Sequence, residues 1–184
     1  MSISICMLTK NDGDTIRASL ESVKHIAHEI VVVDTGSRDK TLEEVGRFEK
    51  ENNVSCKVIH HVWDNNFSKA RNKALKNATC HWIFMMEPYE KIKKADINKI
   101  KAFTTDSRYI GYYVQKGVHE TNPDYETLEH LNKNSIKFKQ HIFIPELRLF
   151  QNNSMIKYDG VIFESVERSL HALGTSFKSN IRLG

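Results

Sequence analysis

Glu29-Ile30-Val31-Val32-Val33-Asp34-Thr35-Gly36-Ser37-Arg38-Asp39-Lys40-Thr41 is the stretch on which the fold turns. From Ile30 to Val33 it is continuously apolar and β-branched. Successive side chains of a strand point to opposite faces, so such a run needs cover on both sides, as central strands of parallel sheets have. The run stops at Asp34, and Thr35 to Lys40 carry the small and polar residues of a turn. A helix is expected from about Thr41 to Lys50.

Working outward, Ile3 to Thr9 reads as a first strand and Lys10-Asn11-Asp12-Gly13-Asp14 as a turn. Asp14 is the expected N-cap of a helix whose apolar stripe is Ile16, Leu20, Val23 and Ala27. Val54 to Trp63 reads as a third strand, Phe67 to Ala78 as a helix, and His81 to Met86 as a fourth strand. The alternation predicts an α/β protein with a Rossmann-type, mostly parallel sheet and helices on both faces. The second half is more mixed. Lys91 to Phe103 is expected to be a basic surface helix, Ile110 to Val118 and Ile142 to Phe150 strands, and Glu120 to Lys139 a polar excursion. A single domain over 1–184 is expected, with an α/β half at 1–90 and a mixed half at 91–184.

The bulk properties exclude more than they assign. A length of 184 residues is enough for one core without disulfides. The formal charge of +4 suits an anionic ligand but is too small to demand nucleic acid, and the lysines of 91–101 have no aromatic neighbours for base stacking. Cys6, Cys56 and Cys80 are odd in number, widely spaced and in or beside apolar runs, so they are expected as reduced, buried thiols. That usage points to the cytosol. No run approaches the ~18 apolar residues of a membrane span, so any membrane association would be peripheral. His25 with His28, and His60 with His61, lack further ligands at metal spacing and read as exposed polar residues.

Ligands of open parallel sheets bind beyond the carboxyl ends of the strands. That rule selects Thr9 to Asn11, Asp34 to Ser37, Asp64 to Phe67 and Glu87 to Glu90. The turn after the first strand has one glycine and two acids, so it is not a G-x-G-x-x-G pyrophosphate cradle. The P-loop pattern is absent as well. Asp34 is placed either to accept hydrogen bonds from a base or ribose or to cap its own turn.

Several of these segments together resemble the family 2 glycosyltransferases, inverting enzymes of the GT-A fold. Ile3 to Asn11 resembles their opening strand. Glu29 to Thr41 resembles their second strand and its D-x-x-S-x-D-x-T turn. Asp64-Asn65-Asn66-Phe67-Ser68-Lys69-Ala70-Arg71-Asn72 resembles their F-x-x-A-R-N segment, and Trp82 to Met86 the strand before the metal motif. The likeness implies a nucleotide-sugar half at 1–90 and an acceptor side at 91–184. It implies that Thr9, Asn11, Asp34 and Ser37 line the nucleotide pocket, and that Arg71 and Asn72 hold the nucleotide end of the donor. The reaction implied is transfer of a sugar from a nucleotide diphosphate, UDP above all, to a glycan, lipid or protein acceptor.

Two departures matter. The family's D-x-D, whose acids hold Mg2+ or Mn2+ against the diphosphate, is replaced by Glu87-Pro88-Tyr89-Glu90. Glu87 and Glu90 are the expected ligands, with Tyr89 in place of an acid. Further on, Glu146-Leu147-Arg148-Leu149-Phe150 and Asp159-Gly160-Val161-Ile162-Phe163-Glu164 resemble an R-L-F … G-x-I-H-E segment with Phe163 in place of histidine. Inversion needs a carboxylate to deprotonate the acceptor. Glu164, Asp159 and Glu146 are the candidates. The alternative reading is a catalytically impaired nucleotide- or sugar-binding module on the same fold.

Overall fold

A computed structural model describes residues 1–106, 108–118, 142–173 and 177–183. The expected excursion at 120–139 lies outside them. The chain alternates β1 (Ile3–Thr9), α1 (Ile16–Val23), β2 (Glu29–Asp34), α2 (Thr41–Asn52), β3 (Ser55–His60), α3 (Phe67–Asn77), β4 (Trp82–Met86) and α4 (Lys94–Thr105). It continues through β5 (Gly111–Val118), β6 (Ile142–Gln151), α5 (Glu167–His171) and β7 (Phe177–Leu183). The fold is the expected α/β class; α5 and β7 had no sequence signal strong enough to assign.

One seven-stranded sheet runs in the order β3-β2-β1-β4-β6-β5-β7. β1 pairs in parallel with β2 and with β4, in registers that set Thr9 opposite Asp34 and Met7 opposite Met86. β6 runs antiparallel to both of its neighbours, β4 and β5. The continuous apolar runs are explained by two cores, one on each face. Ile5, Met7, Ile30, Val32, Phe84 and Met86 point to the side covered by α1, α2 and α4. Cys6, Leu8, Val31, Val33, Ile83 and Met85 point to the side covered by α3 and α5. Each fully buried Val or Ile contributes about 1.5–3 kcal/mol relative to exposure, so a one-residue slip in any of these strands is heavily penalised.

Asp14 does not cap α1. The cap position is Thr15, without a side-chain bond, and the Asp12 carbonyl accepts from the Thr15 and Ile16 amides instead. Asp14 is exposed and pairs with Lys40. The acid two residues earlier is drawn away from the helix because its carboxylate serves the turn after β1. Of the three free cysteines only Cys6 is buried outright. His61 is half-buried rather than exposed, and the lysines of α4 are exposed as expected. No helix among the described residues is long and apolar enough to cross a membrane.

Candidate functional site

In the order β3-β2-β1-β4, the chain leaves β1 in opposite directions toward β2 and β4. The carboxyl ends of those strands therefore open a crevice at the reversal. The loops after β1 and β2 are laced together there. Asp34 Oδ1 accepts from the Ser37 amide at 3.0 Å and Oδ2 from the Gly36 amide at 3.3 Å. The Asn11 amide donates to Ser37 Oγ at 3.0 Å, and Asn11 Oδ1 accepts from the Arg38 amide at 2.8 Å. Asn11 adopts a left-handed backbone, φ 58°, which asparagine tolerates better than most residues. Asp39 Oδ2 accepts from the Gly13 amide, and a side chain on Gly13 would meet Lys40 Cγ at 2.6 Å. Burial works against the charge of Asp34, but hydrogen bonds from Ser37 and Gly36, with His60 beside it, hold its carboxyl below the usual range. His60 Nδ1 lies 3.4 Å from Asp34 Oδ2.

Two open slots lie over these loops. One, about 490 Å³, is lined by Lys10, Asn11, Thr35, Gly36, Ser37 and Arg38. The other, about 360 Å³, draws on the ends of all four parallel strands through Thr9, Thr35, Trp63, Glu87 and Tyr89. Trp63 and Phe67 meet edge to face at 4.7 Å between ring centroids and supply its apolar wall.

Beside the second slot lies a cavity of about 310 Å³ whose lining includes Arg71, Glu146, Arg148, Phe163 and Glu164. Small residues at Ala70 and Ala74 let α3 lie close on the sheet, which delivers Arg71 to this boundary. Arg71 Nη2 donates to Glu87 Oε1 at 2.6 Å, and Nε donates to Glu164 Oε1 at 2.7 Å. Its guanidinium also lies over the Tyr158 ring at 5.6 Å. Burial disfavours its charge, yet Glu87, the Tyr158 oxygen and Glu164 offset that and keep it firmly protonated. Glu87 thus lines the slot while paired to a residue of the adjacent cavity.

Arg148 forms a second centre. Nη1 donates to Glu90 Oε2 at 2.7 Å, Nε to Glu146 Oε2 at 2.6 Å, and Nη2 lies 3.9 Å from Glu87 Oε1. Burial again opposes the charge, and Glu90, Glu146 and Glu87 raise the pKa nonetheless. Glu90 Oε2 also accepts from the Glu87 amide at 2.9 Å, so this acid turns back into its own loop. Tyr89, half-exposed, presents a neutral phenol to the slot. No group of three or more His, Cys, Asp or Glu able to hold a metal occurs among the described residues. As placed, Glu87 and Glu90 do not fit a divalent ion.

Thr9, Asn11, Asp34 and Ser37 therefore gather at the β1–β2 end of the crevice, while Arg71, Glu87, Glu90, Glu146 and Glu164 gather at its β4–β6 end. Asn72 joins neither. Its amide donates to the Tyr158 carbonyl at 2.9 Å and accepts from the Tyr158 amide at 2.8 Å, a latch that spends the side chain on backbone. Asp159 does not line the cavity; its backbone pairs with Ser165 and closes the loop that presents Glu164. Trp63 and Arg148 join the site without a role expected from the sequence. The signal for Arg148 was there: a cation between Leu147 and Leu149, both buried, needs a partner.

Residues 4–160 match the family described as Glycosyl transferase family 2. Glycosyltransferase SunS of Bacillus phage SPbeta is 26% identical over 184 residues, covering 98% of this chain and 38% of that protein. An uncharacterized glycosyltransferase of Rickettsia bellii is 30% identical over 121 residues, covering 61% of this chain and 37% of that one. The chain spans less than two-fifths of both. Among solved structures, S. aureus TarS 1-349 in complex with UDP-GlcNAc superposes with a TM-score of 0.56 at 26% identity, covering 66% of this chain and 36% of that one. The mannosyltransferase PcManGT of Pyrobaculum calidifontis, in complex with GDP-Man and Mn2+, shares the fold, with a TM-score of 0.69 at 16% identity over 98% of this chain and 55% of that one. The family match runs from β1 through β6 to the start of the loop that closes the cavity, and the chain belongs to glycosyl transferase family 2.

Proposed function

We propose that the chain transfers a sugar from a UDP-linked donor to an acceptor hydroxyl with inversion at the anomeric carbon. The observation that carries this is Arg71, which bridges Glu87 on the wall of the donor slot to Glu164 in the adjoining cavity. A donor lying across the slot brings its diphosphate to that guanidinium, and an acceptor in the cavity meets the carboxylate. The choice of UDP is supported by S. aureus TarS, solved in complex with UDP-GlcNAc and with UDP.

In this reading the nucleoside end sits over the loops of Thr9, Asn11, Asp34 and Ser37. Asp34 is held ionised, as an acceptor for ribose or base N–H and O–H groups, and Trp63 and Phe67 close the apolar side. The acceptor oxygen forms its bond to the anomeric carbon as the bond from that carbon to the diphosphate oxygen breaks. Glu164 takes the hydroxyl proton, and UDP leaves with the electron pair. Arg71 offers positive charge where the leaving group gains negative charge. Of the three candidate bases, Asp159 lies off the cavity, and Glu164 is favoured over Glu146 because its arginine also holds Glu87 on the slot wall at 2.6 Å, whereas the arginine on Glu146 stays 3.9 Å from Glu87.

Calorimetric titration with UDP and UDP-GlcNAc, followed by measurement of UDP release, tests the proposal. Absence of binding to either would sink it. The replacement of an acid by Tyr89 favours a second reading, a donor-binding module without turnover; UDP binding with no release of UDP from any UDP-sugar would establish that one.

A further inference from the structure

We infer that Arg148 is the resident cation of this site, its guanidinium holding the place among Glu87, Glu90 and Glu146 that a divalent ion would need, so that UDP binds here without metal. The inference rests on the donor reading above.

Three carboxylates from two separate segments converge on one guanidinium. Glu90 and Arg148 are both buried, with side chains 5% and 7% exposed. A carboxylate offers only lone pairs, and one oxygen of each is already accepting hydrogen bonds: Glu90 Oε2 from Arg148 and the Glu87 amide, Glu146 Oε2 from Arg148, Glu87 Oε1 from Arg71. A hard cation needs those same lone pairs in a group of several oxygens. Unlike a metal, a guanidinium is covalently tethered and remains charged at every physiological pH, so it is not competed away. Tyr89 completes the pattern, since a phenol stands where a further acid would be required. Four carboxylates share two guanidiniums, so the cluster is acidic on balance. What it lacks is a set of oxygens turned together toward the slot. Arg71 lines the adjoining cavity and reaches the slot wall through Nη2 on Glu87.

The test uses the whole chain and two readouts. UDP affinity is measured by calorimetry in EDTA and again in excess Mn2+. Mn2+ binding without nucleotide is followed by the loss of its free electron-paramagnetic-resonance signal, for wild type and for Arg148→Ala. Wild type is expected to bind UDP with less than about twofold difference between the two conditions and to leave the Mn2+ signal intact. Arg148→Ala strips the counter-ion from Glu90 and Glu146, leaves Glu87 with Arg71 alone, and is expected to deplete the signal. If Arg148→Ala does not fold, Arg148→Gln keeps two N–H donors and takes its place. Tightening of UDP by about tenfold or more with Mn2+ in wild type overturns the inference. So does a folded Arg148 variant that leaves Mn2+ free. Failure of UDP to bind under both conditions sinks the donor reading instead, and the nucleotide-free Mn2+ comparison still decides the cation.

Discussion

Arg71 Nε donates to Glu164 Oε1 at 2.7 Å across a sequence separation of 93 residues, joining α3 to the loop after β6. The same guanidinium reaches Glu87 at the end of β4. Both faces of the proposed reaction are thus held by one planar cation. Lysine is not an equivalent, because one ammonium lacks the fork that spans two carboxylates. Arg71→Lys is expected to fold while lowering the rate of UDP release by about tenfold or more. Arg71→Ala leaves half-buried Glu164 without its counter-ion and Glu87 with only the more distant Arg148, and is expected to cost about 3–5 kcal/mol in urea unfolding.

Glu164→Gln separates proton transfer from binding. The amide oxygen still accepts from Arg71, but the group no longer takes a proton. Turnover is expected to fall by about 10²–10⁴-fold with UDP affinity changed less than about twofold. Rates near wild type in this variant would remove Glu164 from the role of base.

Asp34 ties the acid limb of stability to the nucleotide end. Its pKa in the folded chain lies below the ordinary value, so its ionised form adds stability above the unfolded-chain pKa of about 3.9. That contribution is lost as pH falls through the folded value. Melting temperatures of wild type should therefore drop more steeply below about pH 4 than those of Asp34→Asn. The same variant is expected to weaken UDP by about tenfold at neutral pH, because the Gly36 and Ser37 amides lose their charged acceptor.

Asn72→Ala tests the latch. Two hydrogen bonds to the Tyr158 backbone disappear, and a buried amide and carbonyl lose their partner. A loss of about 1–3 kcal/mol of stability is expected, with UDP affinity within about twofold of wild type. A large loss of affinity with unchanged stability would return Asn72 to the nucleotide pocket.

The sequence by itself determined the parallel core of the sheet. Ile3 to Thr9, Glu29 to Asp34 and Trp82 to Met86 are apolar on both alternating faces, and that pattern is local: it is readable from the residues alone because burial on two sides is the only state in which it is stable. The strand-end rule then located the crevice, and the loops of Thr9, Asn11, Asp34 and Ser37 lie there. What the tertiary structure decided is who pairs with whom. Arg148 finds Glu90 at a separation of 58 residues, Asn72 finds Tyr158 at 86 and Arg71 finds Glu164 at 93. No periodicity encodes those meetings, since they depend on β6 inserting antiparallel beside β4 and on the Asp159–Ser165 loop folding back over α3. That is why Glu87 and Glu90 read as metal ligands in the sequence, where only their spacing is visible. In the folded chain each has an arginine within hydrogen-bonding distance.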